Sequence, residues 1–319
     1  MSHSPFLSLV RAELRTRRYS LRTEKVYLDW IKRFILFNEK KHPNDMGNNE
    51  IERFLNHLAV NRRVSAATQN QALCALIFLY RYIIKRDISG LKYSYTKREK
   101  SVPTVLSHEE ATQIISQLDG KYWLIASLLY GCGLRINEAL HLRVKDINLA
   151  DGTLFIFRGK GKKDRYTLLP KSLTNPLKAQ IEVAKNTHSK DLLEGFGLTS
   201  LPPSLIRKYG AAAKDFSWQY IFPSSTRCSH PHDGYICRHH IHETAFRKKL
   251  RAAVLKCDIN KRVKAHTFRH TFATQLLQNG SDIRTVQELL GHTDLKTTEI
   301  YTHVTGARFS HTISPVDRK

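Results

Sequence analysis

Acidic side chains are in short supply in this chain of 319 residues. Only 28 Asp and Glu stand against 52 Lys and Arg, giving a formal charge of +24 and a pI near 9.9. Such an excess points to a polyanionic partner, nucleic acid first. Long apolar runs are also missing. The longest, YWLIASLLYGCGL at 122–134, is too short to span a bilayer. The opening MSHSPFLSLVRAELRTRR has too short an apolar run, interrupted by charge, to read as a signal peptide. Basic residues are spread along the chain rather than gathered on one amphipathic segment, which argues against a membrane-surface role. The five cysteines, Cys74, Cys132, Cys228, Cys237 and Cys257, are odd in number and scattered, so no disulfide framework is implied and a reducing cytosol fits. Cys74 and Cys132 sit in apolar runs and read as small core residues. The tract Cys228, His230, His232, Cys237, His239, His240 and His242 carries zinc-ligand residue types. It lacks a CxxC pair, however, and a turn is expected between His232 and Cys237. We expect no metal, no cofactor, no membrane and no small-molecule substrate.

What the chain does contain is a set of six polar residues able to break and rejoin a phosphodiester. Arg135 lies in GCGLRINEAL, Lys160 in FRGKGKKDRYTLLP, and His266 and Arg269 in KAHTFRHTFAT. His292 and Tyr301 lie in LLGHTDLKTTEIYTHV. A tyrosine hydroxyl can form an ester with phosphorus. The attack builds charge on the non-bridging oxygens, which the rigid, always-charged arginine fork matches. The departing 5′ oxygen needs a proton, which a lysine or histidine can deliver. Neither a metal ion nor ATP enters this scheme.

Local patterns place these residues. Apolar spacing predicts helices across 5–86, notably 21–37, 48–60 and 66–85, the last capped by Ser65. The stretch KYSYTKREKSVPT at 92–104 is polar and aperiodic and reads as a linker. Ser107-His-Glu-Glu110 then reads as a capping box. Helices follow over 108–118 and 121–130 and from about 135, then strands at 153–157 and 165–169 around the turn GKGKKD, which carries Lys160 and Lys162. His266 and Arg269 are three apart and share a helical face, with His270 next on that side. Glu138 has the spacing to orient Arg135. Gly291 reads as a helix stop with His292 at it. Thr293 or Asp294 is expected to cap the segment bearing Tyr301, with Ile300 as its apolar anchor.

These six residues, in this order, resemble the tyrosine recombinases of the lambda-integrase family over nearly the whole chain. The tightest stretch is 265–304. The resemblance implies a mainly α fold with a small β-sheet or hairpin, arranged as a two-domain DNA clamp. A helical, SAM-like core-binding domain would span 1–91, a linker 92–104, and a mixed α/β catalytic domain 105–319. It also implies that Tyr301 is the nucleophile and that Arg135, Arg269 and His292 hold the phosphate. Lys160 is then the general acid and His266 an acid–base or phosphate ligand, although the division between these two stays open. The working assembly implied is a homo-tetramer on DNA, in a bacterial cytoplasm and at the nucleoid when bound. The tail after Val304 reads either as a frayed terminus or as packing on a neighbouring subunit.

The region between Pro170 and Phe222 is longer than in simple tyrosine recombinases. Its segment LPPSLIRKYGAAAKDFSWQYIFPS at 201–224, and HDGYICRHHIHETAFRKKL following it at 232–250, resemble the integron integrases, with an added insertion at about 187–222. Those enzymes recombine gene-cassette sites, including folded single-stranded hairpins with protruding bases. Such bases need stacking surfaces. The candidates are Tyr209, Trp218, Tyr220, Tyr235, His239 and His240, with Arg207 and Lys208 as phosphate contacts. For Trp218 and Tyr220, next to Ile221 and Phe222, a core role is the alternative. Competing readings are a phage-type or chromosome-resolving recombinase, a type IB topoisomerase, and a non-catalytic architectural DNA-binding protein.

Overall fold

Helical apolar spacing in the first ninety residues becomes a helical unit. It comprises α1 (Pro5–Thr16), α2 (Leu21–Phe37), α3 (Asn48–Val60) and α4 (Ala66–Phe78). The computed structural model describes residues 4–88, 90–91, 103–157, 164–231, 233–292, 294, 297–299 and 301. The Ser20 and Ser65 hydroxyls cap α2 and α4, accepting from the backbone of Thr23 and Thr68 at 3.1 and 3.3 Å. Trp30, Ile31, Phe34, Ile51, Phe54, Leu55, Leu73 and Leu76 interlock as the core, where Phe34 and Phe54 meet edge to face at 5.6 Å. Arg15 grips the buried Glu24 through two bonds of 2.9 and 3.1 Å, tying α1 to α2. The expected helix over 66–85 keeps its α form only to Phe78. It then widens into a π-type turn at Leu79–Ile84, ending on Lys85 in the left-handed region (φ 55°).

The chain divides into two compact units, Met1–Ser101 and Val102–Lys319. In the second, Ser107 and Glu110 form the anticipated reciprocal cap of α5 (His108–Ser116), with bonds of 3.1 and 2.7 Å. The apolar run becomes α6 (Gly120–Gly131). It is apolar all round, and such a helix has to be buried. Burying each Leu or Ile side chain contributes roughly 1.5–3 kcal/mol, and α6 buries Leu124, Ile125, Leu128 and Leu129. After α7 (Ile136–His141) comes an antiparallel sheet in the order β1 (Ile147–Asn148), β2 (Thr153–Ile156), β3 (Arg165–Leu168). Its register pairs Ile156 with Arg165 and Thr153 with Leu168. Strands β2 and β3 are the two expected from sequence. The turn between them, with Lys160 and Lys162, lies outside the described residues.

Sequence periodicity did not reveal α8 (Thr174–Leu193), because its buried positions include His188 and Asp191 alongside Leu177 and Ala184. Next come α9 (Pro203–Tyr209), a small hairpin of β4 (Cys228–Ser229) and β5 (Ile236–Cys237), α10 (Glu243–Lys256), α11 (Ala265–Gln278) and α12 (Ile283–Leu290). One core surrounds α6. A second joins Phe272, Ala273 and Leu277 of α11 to Val286 and Leu290 of α12, and Tyr301 belongs to it. The fold is mainly α with small sheets. Cys132 is buried as expected, whereas Cys74 is half-buried.

Candidate active site

The GCGLR motif works through Gly133. Helix α6 ends at Cys132, and Gly133 turns the chain at φ +63°, where a Cβ would overlap the Phe272 ring. Only glycine combines that backbone angle with so close a neighbour. Leu134 plugs the core, and Arg135 becomes the N-cap residue of α7. Its backbone N–H donates to Glu138 Oε2 at 2.9 Å and its Nη1 to Oε1 at 2.6 Å, the orientation expected of Glu138.

Arg269 is carried on α11 and is fully buried. Its Nη1 donates to the Gly133 carbonyl at 2.7 Å and its Nη2 to the Leu290 carbonyl. Glu138 Oε2 lies 3.6 Å away. Burial, reinforced by the charge of Arg135, pulls its guanidinium down to about 9, so it remains charged at neutral pH. Its Nε has no hydrogen-bond partner among the described residues.

A third arginine was not anticipated. Arg165, at the start of β3, forms a two-pronged pair with Glu138: Nη1 to Oε1 at 3.0 Å and Nη2 to Oε2 at 2.7 Å. Its Nε donates to the Leu289 carbonyl at 2.9 Å. The signal available in sequence was slight, a basic residue opening a strand in KKDRYTLLP. Burial alone would raise the Glu138 carboxyl. The hydrogen bonds and charge of Arg165, with those of Arg135, overcome it and hold the carboxyl at about 2. Three arginines around one carboxylate leave a net charge of two positives, matched to a phosphodiester that gains charge as it is attacked.

Gly291 ends α12 in the left-handed region (φ 63°), as the sequence suggested, and a Cβ there would lie 2.8 Å from Arg165 Cδ. The turn delivers His292. Arg269 Nη2 lies 3.3 Å from its Nε2, and its Nδ1 lies 2.9 Å from the hydroxyl of the buried Thr298. With the arginine as donor, Nε2 accepts and Nδ1 carries the proton. Burial and the neighbouring arginines push this imidazole down to about 3, so it is neutral. Tyr301 is 1% exposed and lies nearly parallel to the His292 ring at 6.3 Å. Its hydroxyl is 2.9 Å from Nδ1 of His270. Burial raises its pKa against the opposing pull of Arg269 and Arg135. His266, on the first turn of α11, is exposed and sets its ring 4.4 Å from that of His270.

Arg135, Arg269, His292 and Tyr301 are thus gathered at one centre, with His266 linked to it through His270. Lys160, Ile300, Thr293 and the tail after Tyr301 lie outside the described residues. The other candidates stand elsewhere. Arg207, Lys208 and Tyr209 are exposed at the end of α9. Tyr209 packs on Trp218 at 5.2 Å, and Lys145 Nζ sits 3.5 Å above the indole. Tyr220 is instead a core residue, buried under the Arg143 guanidinium, which takes it out of the set of stacking surfaces. Tyr235 spends its hydroxyl on the Leu201 carbonyl at 2.7 Å. His239 and His240 are half-buried, 4.0 Å apart, and both pack on Tyr220. Among the described residues no group of three His, Cys, Asp or Glu is arranged to hold a metal ion.

Comparison with known proteins identifies the family of the chain. Residues 104–308 match the phage integrase family and residues 6–90 match the phage integrase N-terminal SAM-like domain. An integrase/recombinase of Escherichia coli is 42% identical over 312 residues, covering 98% of this chain and 93% of that protein. The tyrosine recombinase XerC of Halalkalibacterium halodurans is 30% identical, over 76% of this chain and 73% of its own. In fold, the chain is similar to a lambda integrase dimer bound to a COC′ core site. The TM-score is 0.62 at 16% identity, covering 92% and 95% of the two chains. It is also similar to the XerH recombinase bound to difH, with a TM-score of 0.60 at 23% identity, covering 98% and 84%. The chain belongs to the phage integrase family and is a tyrosine site-specific recombinase, an enzyme that cleaves and rejoins DNA through a phosphotyrosine without a metal ion.

Proposed function

We propose that Tyr301 is the nucleophile of this recombinase, that Arg135, Arg269 and His292 hold the scissile phosphate, and that the chain is an integron-type integrase acting on gene-cassette sites. The observation that carries the chemistry is the gathering of these four side chains, from positions 135 to 301: Arg135 and Arg269 meet at the buried Glu138, His292 lies against Arg269, and the Tyr301 ring lies beside that of His292. Tyr301 attacks phosphorus in line and leaves a 3′-phosphotyrosine and a free 5′ hydroxyl. The ester preserves the bond energy, and a 5′ hydroxyl from a partner strand reverses the step. Lys160 or His266 protonates the departing 5′ oxygen. Four copies of the chain on two sites complete the exchange.

The substrate reading is supported by the stretch at about 187–222. It runs from the end of α8 through α9 to Trp218 and Tyr220. It offers an exposed Tyr209 against Trp218, backed by Lys145, with Arg207 and Lys208 alongside. Flat rings beside basic residues suit bases that protrude from an imperfect hairpin. A covalent-trapping assay tests both parts. The protein is incubated with a nicked folded cassette strand, its complement and a linear duplex site, and the products are run on a denaturing gel. We expect a shifted band, strongest on one folded strand and lost in Tyr301→Phe, which still binds DNA. A band only on the duplex assigns the chain to the phage-type or chromosome-resolving recombinases. A band that survives Tyr301→Phe overturns the nucleophile.

A further inference from the structure

The phosphate clamp leaves the proton of Tyr301 unaccounted for. A phenol is a weak nucleophile until that proton departs, and burial makes its loss harder here. His292 is poorly placed to take it, because Arg269 and Thr298 occupy its two ring nitrogens at 3.3 and 2.9 Å. Arg135 and Arg269 have no basic atom to offer at neutral pH. Among the described residues, the His270 imidazole reaches the hydroxyl. His270 follows Arg269 on α11, and its Nδ1 lies 2.9 Å from Tyr301 Oη, with the rings 5.4 Å apart and inclined at 52°.

The surroundings of His270 keep it ready to accept. Burial, with the charges of His266 and Arg269 beside it, holds its pKa at about 4, so the ring is neutral at physiological pH. With the phenol as donor, Nδ1 is the bare nitrogen. Its other near neighbour is the His266 ring, 4.4 Å away. A phosphodiester entering between Arg135 and Arg269 brings negative charge that offsets the arginine field. The imidazolium then becomes easier to form at the stage when it is needed.

Taking Tyr301 as the nucleophile, we propose that His270 is a catalytic residue, the general base that removes the Tyr301 proton during cleavage. In that step the Tyr301 Oη–P bond forms and the P–O5′ bond breaks. The phenolic proton moves to His270 Nδ1, and the general acid on the other side of phosphorus supplies a proton to the 5′ oxygen. In rejoining, the incoming 5′ hydroxyl gives its proton back to that acid, and His270 returns its own to the leaving phenolate.

The test is single-turnover cleavage of a nicked duplex by the full chain, with His270→Ala and His270→Asn compared on two substrates. One has the normal 5′ oxygen as leaving atom and the other has sulfur, which departs without protonation. We expect both variants to bind DNA normally and to cleave about 10²-fold or more slowly, with sulfur giving no recovery. His270→Asn keeps an acceptor near the Nδ1 position without a basic nitrogen, so it separates proton removal from mere anchoring of the phenol. Wild-type cleavage by His270→Asn, or recovery of either variant on the sulfur substrate, overturns the proposal. Tyr301→Phe is run in parallel. An adduct in that variant overturns the nucleophile itself, whereas a Tyr301-dependent adduct at full rate without His270 overturns only the base.

Discussion

Arg165 and Glu138 form a two-pronged ion pair in which each side chain is only 8% exposed, and the same arginine donates to the Leu289 carbonyl at the end of α12. Through this pair the β3 strand, the Arg135 turn and the His292 turn share one carboxylate. Because Glu138 accepts from Arg135 and Arg165 and faces Arg269, it screens three like charges from one another.

Glu138→Ala is therefore expected to destabilise the chain by about 3–5 kcal/mol, since it leaves buried arginines without their counter-charge. Arg165→Ala is expected to be similar in stability and also to lose cleavage, because the Arg135 fork loses its fixed orientation. Urea unfolding midpoints together with covalent trapping check this. A Glu138→Ala protein of normal stability contradicts the carboxylate's central place.

Arg135→Lys retains charge but loses the planar fork. Binding of the site is expected to stay within a few-fold, while single-turnover cleavage falls by about 10²–10³. Equal losses in binding and cleavage would show that Arg135 serves affinity and not the transition state.

Gly133→Ala places a methyl group in the Phe272 ring at a backbone angle that side chains rarely adopt. A loss of at least about 1–3 kcal/mol is expected from the backbone strain alone. The Gly133 carbonyl, which anchors Arg269, moves with it. A thermal melt measures the stability and trapping the activity; an unchanged melting temperature rules out the strained turn.

Stability is expected to fall with acidity in a defined window. His270 and His292 sit at about 4 and about 3 when folded, against an ordinary histidine value near 6.5. Between pH 6.5 and 4 the unfolded chain binds protons that the native centre refuses. The native state is therefore penalised by up to about 1.4 kcal/mol per pH unit for each such ring. Glu138, held at about 2 against 4.5, adds stability above pH 4.5 that is lost as pH falls through 2, a separate and lower window. Unfolding midpoints at pH 7.5, 6 and 5 should decline steadily, and His270→Asn should flatten the slope. A midpoint independent of pH over this range would mean the imidazoles are not buried and neutral.

Trp218→Ala removes the ring between Tyr209 and Lys145. If protruding bases stack there, hairpin sites weaken by about 1–3 kcal/mol per base, roughly 5–150-fold in affinity, with little change on duplex sites. Equal loss on both substrates points to a folding defect.

Much of this molecule follows from short-range pattern. Helices α2 and α3, the Ser65 and Ser107 caps, the strands β2 and β3 and the Gly291 stop all depend on residues a few positions apart, where propensity, capping and periodicity act. The six reactive residue types, their order and the excess of positive charge are likewise properties of the chain. What folding alone decided are the partnerships across long separations. Arg165 reaches Glu138 over 27 positions, His270 reaches Tyr301 over 31, and Arg269 reaches the Gly133 carbonyl over 136. No periodicity encodes these distances, because they arise when two cores pack α6, α11 and α12 together. Folding likewise turned Tyr220 from a candidate surface into a buried residue, covered by the Arg143 guanidinium and the His239 and His240 rings.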